Sequence, residues 1–421
     1  MMRLPFRRAV IESLSALRQA LIASLGYLFF LPLSCLVSRD PKLIVVISRP
    51  GRLFGDNSKY FFIYATALAD VSERVIFFTA NPAILRQIID AGGEALLHPS
   101  WTSFITLLRC GKVATDSILF ENKPLTRGAR LIQLWHGAPL KHIELDTYRR
   151  RIEETSAWLV PFLKIQKLII ERYPVYDLVL STSKKFIDEA FRYSFRARRF
   201  IAAGYPRNDI LFGWPDSRRS QRLAMINVDR EAMDRVVSAQ AAGQRICLYV
   251  PTFRNGLDNP FDGQIDLNDL SSFSQQQQLC IVLKLHPFMH GKYRIANYPN
   301  LIDYEPLADI YPLMARCDFM LTDYSSIFFD FLLLDRPILF FAYDLRDYLL
   351  NDRSMYFDYH TMTPGVKCHD YHSLKKAIAE ILSNGCRDNY AEMRRMVSEY
   401  THDYKDNRAS QRLMREVRKL S

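Results

Sequence analysis

The feature that most restricts the fold is a pair of apolar runs, at residues 319–322 and 327–334, that four polar residues separate. The first run predicts a buried strand, and the second predicts a buried helix that ends before Pro337. The residues between them are Asp323, Tyr324, Ser325 and Ser326. A strand that leads into a helix at Ser-Ser leaves backbone N–H groups unpaired beside two hydroxyls. This turn suits an anion such as phosphate; the alternative is that Ser325 only caps the helix.

Similar apolar runs recur along the chain and alternate with helical patterns, which predicts an α/β architecture with parallel strands. The other predicted strands are residues 42–48, 74–79, 112–115, 117–120, 131–134, 176–181, 246–250 and 280–285. A charged helical stretch begins at Trp214 and separates two similar halves. We therefore divide the chain into a leader at 1–38, an N-terminal domain at 39–215, a C-terminal domain at 216–395 and an amphipathic helix at 396–421.

Composition narrows the class of partner. The 421 residues are 49% hydrophobic and 24% charged, as expected of a globular protein of two or three domains, and the net charge of +11 favours an anionic partner. The chain has no basic stripe interleaved with aromatic residues, which argues against nucleic acid. Seven scattered cysteines without a CxxC pair predict reduced thiols and no zinc site. Nothing in the sequence specifies an oligomeric state.

The leader combines four arginines with an almost wholly apolar run at residues 20–37. A single membrane span, a helix in the membrane interface and a first helix packed on the body are all compatible with this pattern. We favour the interfacial helix. The expected location is then the cytoplasmic face of the cell membrane, with peripheral attachment or a single N-terminal anchor.

Polar residues follow the predicted strands of the N-terminal half. Asn57 and Lys59 come after the first strand, where they either contact a polar ligand or only turn the chain. His136 stands just past the strand at 131–134, where an imidazole is placed to take a proton from a hydroxyl or is merely hydrogen-bonded beside Trp135. Four later polar residues complete the candidate acceptor side: Lys141, Asp146, Arg207 and Asn208.

The C-terminal half brings three strand ends to one sheet edge. The strand at 246–250 leads to Thr252 and Arg254, the strand at 280–285 leads to His286, and the strand at 319–322 leads to the Asp323–Ser326 turn. Arginine binds phosphate oxygens through parallel hydrogen bonds, and histidine donates to an oxygen. Asp330 either accepts from a ligand hydroxyl or is a polar residue on a helix face.

Six segments in this order give the chain a family resemblance over residues 40–415: LWHGAPLKHIELD, GYPRNDIL, YVPTFRN, LKLHPF, TDYSSIFFDFLLLDRPILFFAYD and DNRASQR. The chain resembles the CDP-glycerol:poly(glycerophosphate) glycerophosphotransferase family of teichoic-acid and capsule polymer synthesis. The resemblance implies a GT-B fold, in which two Rossmann-like domains with parallel sheets face a central cleft. It also implies peripheral membrane association.

The resemblance also implies roles for individual residues. His136 and His286 match the histidines of the family's WHG and LHP motifs, and His136 is the presumed base. Arg254, Ser325, Ser326 and Asp330 match the side that binds the donor pyrophosphate and glycerol. We assign Thr252 and Asp323 to the same donor site, because they lie at the same strand ends.

The expected reaction moves a polyol phosphate, such as glycerol phosphate, from a CDP-linked donor to a hydroxyl of a lipid-linked or polymeric glycan, with release of CMP. No DxD-like pair stands at a strand end, so we predict no cofactor and no essential metal. Two alternatives remain. One is a glycosyltransferase that uses a nucleotide sugar and releases a nucleoside diphosphate, and the other is a non-enzymatic basic protein.

Overall fold

The structure is a computed structural model that describes residues 32–34, 36–48, 54–68, 73–117, 124–153, 173–252, 264–285, 295–351 and 355–420. These residues form two β-sheets with helices around them. The strands of the first sheet are β1 Asp40–Ile47, β2 Arg74–Thr79, β3 Ala95–Leu97, β4 Cys110–Thr115, β5 Arg130–Gln133, β6 Val175–Ser181 and β7 Arg196–Ala202. Those of the second are β8 Arg245–Val250, β9 Leu279–Leu283, β10 Leu301–Asp303, β11 Phe319–Thr322, β12 Ile338–Phe341 and β13 Val366–Cys368.

Helices connect most of these strands. Those that precede β8 are α1 Asp56–Ala67, α2 Pro82–Asp90, α3 Trp101–Arg109, α4 Glu144–Glu153, α5 Lys184–Phe186, α6 Arg192–Ser194, α7 Arg218–Ala224 and α8 Arg230–Ala241. Those of the C-terminal half are α9 Leu267–Gln276, α10 Tyr311–Met314, α11 Ile327–Phe331, α12 Leu345–Asn351, α13 Tyr359–Met362, α14 Tyr371–Ser383, α15 Ala391–Thr401 and α16 Ala409–Arg418. A π-helical turn covers Ile187–Phe191, and 3₁₀ turns cover Pro206–Phe212, Ile295–Asn297 and Leu332–Leu334.

Both sheets are parallel, with strand orders β3-β2-β1-β4-β5-β6-β7 and β10-β9-β8-β11-β12-β13. Helices cover the faces of parallel sheets, which explains why central strands such as β9 and β11 are buried at every position. The strand order reverses between β1 and β4 and again between β8 and β11. Such switch points are where open α/β sheets bind ligands, outside the carboxyl ends of the strands.

The structure confirms most of the predicted strands to within two residues at either end. It also adds five strands that the sequence did not predict: β3, β7, β10, β12 and β13. Three of them have only three residues, and β7 is an arginine-rich edge strand. The apolar run predicted as a helix at 327–334 divides into α11 and a 3₁₀ turn. Residues 118–120 of another predicted strand lie outside the described residues.

The C-terminal tail differs from the single helix that the sequence predicts. It consists of α15 and α16, and the predicted boundary at residue 396 falls inside α15. The tail packs on the N-terminal domain. The carboxylate of Asp209 accepts hydrogen bonds from the backbone N–H groups of Ala409 and Ser410 at 2.8 and 2.9 Å, and Arg418 forms an ion pair with Glu73.

One hydrophobic core runs through both domains, and a second fills one side of the C-terminal sheet. The six cysteines among the described residues are free thiols, and five of them are buried, in agreement with the predicted reduced state. Most of the leader lies outside the described residues. Among the residues that are described, no helix has the length and apolar character needed to cross a bilayer.

Candidate active site

His136 lies beside the switch point of the N-terminal sheet. Its Nδ1 donates a hydrogen bond to the backbone carbonyl of Asp116 at 2.7 Å, and Asp116 follows β4 directly. Because a carbonyl only accepts, Nδ1 carries the ring proton, and in the neutral imidazole Nε2 is the proton acceptor. The backbone thus fixes the tautomer that a general base requires. The indole of Trp135 packs against the imidazole at a centroid distance of 3.9 Å.

The turn that carries His136 is strained and is held from outside. Trp135 has a φ of 52°, in the left-handed region that side chains rarely adopt. The side-chain amide of Asn57 donates to the carbonyls of Leu134 and Trp135 at 3.1 and 2.8 Å. Asn57 is fully buried. We therefore infer that Asn57, predicted on the acceptor side, acts on substrate only through the shape of this turn.

At the switch point of the C-terminal sheet, hydrogen bonds connect the ends of two neighbouring strands. Asp323 accepts from the backbone N–H of Thr252 at 2.9 and 3.0 Å and from its hydroxyl at 2.6 Å. It also accepts from the backbone N–H of Tyr324. Thr252 and Asp323 therefore join the ends of β8 and β11. These contacts favour a positioning role for both residues over direct binding of the donor.

Ser325 and Ser326 follow Asp323 in the same turn and are both half-buried. Ser326 is the N-cap of α11, and its side chain makes no capping hydrogen bond. The N-cap position is therefore Ser326, whereas the alternative interpretation of the sequence placed the cap at Ser325. The hydroxyl of Ser326 lies 3.3 Å from the point where a Cβ on Gly137 would stand. The serine turn of one domain and the His136–Gly137 turn of the other are thus in close contact.

The loop after His136 also contacts the C-terminal domain. The backbone N–H of Tyr356 donates to the carbonyl of Leu140 at 3.0 Å, and Lys141 forms an isolated antiparallel bridge with Met355. The ammonium of Lys141 lies 4.9 Å from the centre of the Tyr348 ring. Lys141, predicted on the acceptor side, therefore packs on the C-terminal domain in this structure.

A buried ion-pair network lies beneath the two turns. Arg207 donates to the His136 carbonyl at 2.7 Å, to Asp56 at 2.6 Å and to Asp330 at 2.6 Å. Asp330 also accepts from Asn208 at 3.0 Å and from the Tyr311 hydroxyl at 2.7 Å. Asp330 is fully buried, and Arg207 and Asn208 are 3% and 4% exposed.

This network changes the predicted roles of three residues. The sequence predicts Arg207 and Asn208 on the acceptor side and Asp330 on the donor side. The structure instead brings all three together in one cluster that joins the domains. Burial lowers the pKa of the Arg207 guanidinium, yet the carboxylates of Asp330 and Asp56 outweigh it and hold the pKa well above its ordinary value. Arg207 is therefore a permanent cation that links the backbone of His136 to the helix after the serine turn.

Lys59 belongs to a second interdomain cluster. Its ammonium donates to the carbonyls of Ala224 and Ile226 at 2.7 and 2.9 Å and to Asp309 at 2.7 Å. Asp309 also accepts from the Tyr60 hydroxyl at 2.7 Å. Lys59 is fully buried and all three of its donors are used. In this structure it bridges the domains, whereas the sequence predicted contact with substrate.

Asp146 is engaged by neighbouring side chains. Its carboxylate lies 2.5 Å from Nδ1 of His142 and 3.5 Å from Nε of Arg150. Asp146, predicted on the acceptor side, is therefore held by two side chains of its own segment. Two other predicted residues, Arg254 and His286, lie outside the described residues, and their roles stay predictions. The strands that lead to them, β8 and β9, are neighbours of each other, and β11 is on the other side of β8, as predicted.

Four residues that organise the site are not predicted from the sequence: Asp116, Asp56, Tyr311 and Asp309. Asp116 directly follows a predicted strand, which was an available signal. The other three act through partners 19 to 250 positions away, so no local pattern marks them. Among the described residues, no group of three or more His, Cys, Asp or Glu side chains is placed to hold a metal ion.

Two parallel-sheet domains meet at their switch points, with an oriented imidazole on one side and a serine turn at the start of a helix on the other, which is the arrangement of the GT-B class of transferases. A profile of the CDP-Glycerol:Poly(glycerophosphate) glycerophosphotransferase family matches residues 29–419. The chain therefore belongs to this family.

Known relatives and structures agree with this assignment. A teichoic acid poly(glycerol phosphate) polymerase of Bacillus spizizenii is 27% identical over 78% of this chain and 81% of the relative. A teichoic acid glycerol-phosphate transferase of Staphylococcus aureus is 27% identical over 68% of this chain and 70% of the relative. For a polymerase of Staphylococcus epidermidis, 26% identical over 81% of this chain, the match spans only 46% of the relative.

Among solved structures, a variant of the wall teichoic acid polymerase TagF soaked with CDPG superposes with a TM-score of 0.73 at 22% identity. The match covers 100% of this chain and 98% of TagF. Since the identity is low, the likeness shows the fold alone. The GT-B fold predicted from the sequence is thereby confirmed.

Proposed function

We propose that this chain transfers glycerol phosphate from CDP-glycerol to a hydroxyl of a lipid-linked or polymeric acceptor and releases CMP. The family assignment supports the donor and the reaction type. The observation that carries the proposal is the contact between the His136–Gly137 turn and the serine turn, because the oriented imidazole and the hydroxyls proposed to bind phosphate then lie on adjoining turns.

The reaction follows from these groups. Nε2 of His136 takes the proton of the acceptor hydroxyl as its oxygen forms a bond to the phosphorus next to the glycerol. The bond between that phosphorus and the oxygen bridging to CMP breaks, and CMP leaves with the electron pair. The N–H groups and hydroxyls around Ser325 and Ser326 donate to the phosphate oxygens, with Arg254 and His286 as further predicted donors. Base assistance of this kind contributes roughly 100- to 10,000-fold.

The test measures the nucleotide released from each of three donors, CDP-glycerol, CDP-ribitol and a UDP-sugar, by the wild type and by His136→Ala. We expect CDP-glycerol to be preferred and His136→Ala to lower kcat about 100- to 10,000-fold with unchanged donor binding. His372→Ala, at an exposed histidine on α14, is the control and should keep full activity. Equal, non-zero rates for the wild type and His136→Ala would remove His136 from the chemistry. Release of UDP would favour a glycosyltransferase, an alternative that the family assignment does not support.

We also propose that the enzyme needs no metal and works at the cytoplasmic face of the membrane. The first part rests on cationic and hydrogen-bonding groups in place of a metal, and turnover should survive a chelator. If magnesium alone restores chelated enzyme, this part is wrong. The second part rests on the basic and apolar leader. The full chain should float with anionic vesicles and not with neutral ones.

A further inference from the structure

A basic groove lies between the edge strand β7 and the last helix, α16. Its volume is about 650 Å³, and Ile201, Ala202 and Ala203 contribute its apolar part. Five cationic side chains line it, with Glu416 as the lone acidic one: Arg199, Arg412, Arg415, Arg418 and Lys419. The apolar face of α16 is buried in the core, so the helix fixes these side chains on a rigid support.

The positive charge of the groove is only partly neutralised. Glu416 serves both Arg199 and Lys419, Arg418 forms an ion pair with Glu73, and Arg412 pairs with Asp406. Among the described residues, four of the five cations thus form ion pairs with three carboxylates. The side chains of Arg199, Arg418 and Lys419 stay 47%, 43% and 62% exposed, and Arg415 is exposed as well. The phosphates of a polymer would readily displace the carboxylates from these cations, because exposed ion pairs are weak.

The groove leads toward the candidate active site. It follows β7 from Arg199, in the middle of the strand, to Ala203, just past its carboxyl end. This end lies at the same sheet edge as His136 and is two strands away in the order β5-β6-β7, or about 10 Å. The chain then continues from Ala203 to Arg207, which bonds the His136 carbonyl.

We propose that this groove binds the growing, polyanionic acceptor, a chain of repeating phosphodiesters, and guides its end to His136. The inference rests on the proposed transferase function. Cations spaced along a groove match phosphates spaced along a polymer, and the apolar residues accommodate the carbon units between them. A flat bilayer does not enter a recess between a strand and a helix, so the polymer is the better occupant.

The test compares Arg415→Glu/Lys419→Glu with Arg230→Glu/Arg395→Glu, a control at exposed arginines outside the groove with the same change in net charge. A soluble oligomer of glycerol phosphate is titrated against each protein without donor, and unfolding midpoints verify that both are folded. We expect the groove variant to bind the oligomer about tenfold more weakly than the control, with a weaker dependence on salt. Its KM for the oligomer should rise, while kcat and transfer to an acceptor with a single phosphate stay unchanged.

Two outcomes overturn the proposal. One is equal binding of the oligomer by the groove and control variants. The other is a groove variant that loses binding to anionic vesicles but keeps its affinity for the oligomer, because the occupant is then the membrane. Failure of the transfer reaction is separable from both. If the wild type releases no CMP while the difference in oligomer binding persists, the proposed function fails and the groove stands as a polyanion site.

Discussion

The two switch points of this protein share one type of hydrogen bond but differ in the chemical groups that they present. In the N-terminal sheet the hydroxyl of Ser48 donates to the carboxylate of Asp116 at 3.3 Å, across the ends of β1 and β4. In the C-terminal sheet Thr252 donates in the same way to Asp323, across the ends of β8 and β11. In each domain, a hydrogen bond from a hydroxyl to a carboxylate thus connects the two neighbouring strands of the switch point.

The difference lies in what each aspartate does next. The backbone carbonyl of Asp116 orients His136, so the N-terminal domain presents a proton acceptor. The carboxylate of Asp323 is occupied by Thr252 and the backbone of Tyr324, and the turn beyond it presents the donors of Ser325 and Ser326. One edge is therefore suited to activate a hydroxyl and the other to bind an anion. Arg207 connects them, through the His136 carbonyl and Asp330.

The largest effect is expected from cutting this connection with Arg207→Met. The substitution leaves the fully buried carboxylate of Asp330 and the partly exposed carboxylate of Asp56 without their cation. Removing one partner of a buried pair costs about 3–5 kcal/mol of unfolding free energy. Urea unfolding measures the loss, and kcat should fall with it because the His136 carbonyl loses a partner. The double variant Arg207→Met/Asp330→Asn should recover part of the stability. A loss below about 1 kcal/mol would mean that the network contributes little.

The contacts of Arg207 also show which features cannot be predicted from the sequence. The apolar runs predicted the central strands, and the strand ends predicted His136 and the serine turn, because both signals are local. The edge strands β3, β10 and β13 have three residues each, too few to show a pattern. The partners of Arg207 and Lys59 are 123 and 250 positions away, so only the fold reveals that these cations face carboxylates and not substrate.

A second prediction concerns the pH dependence of stability around the Arg207 network. Burial lowers the pKa of His402 from 6.5 to about 4, so the folded state stays unprotonated while the unfolded state takes up a proton. Stability from this group is therefore lost as the pH falls from 6.5 to 4, by about 3 kcal/mol. Burial raises the pKa of Asp209 from 3.8 to about 6, so its contribution is lost as the pH rises through that window.

The two contributions oppose each other between pH 4 and 6, and single variants should separate them. His402→Gln should make the protein more stable toward pH 4 relative to the wild type, and Asp209→Asn should make it less stable. Unfolding by urea at several pH values measures both slopes. If the unfolding free energy of both variants changes with pH in parallel with that of the wild type, the pKa of neither group changes on folding.

A smaller effect is expected at the C-terminal switch point. Asp323→Asn replaces charged hydrogen bonds to Thr252 by neutral ones, which loosens the serine turn and should raise the donor KM about tenfold. Thr252→Val removes only the hydroxyl and keeps the backbone N–H bond, so it should raise the KM about threefold. Steady-state kinetics with CDP-glycerol give both values. An unchanged KM with a lower kcat would instead place Asp323 in the chemical step.

The smallest effect tests the contact between the two edges directly. Gly137→Ala adds a Cβ at 3.3 Å from the Ser326 hydroxyl, closer than most real Cβ contacts, so one of the two turns must shift by a few tenths of an ångström. We expect kcat/KM to fall about threefold, because the imidazole and the serine turn move apart. Ser326→Ala removes the hydroxyl, and in the double variant Gly137→Ala should cost nothing further. Additive losses in this cycle would show that the two turns do not meet during turnover, since independent sites add and neighbouring sites couple.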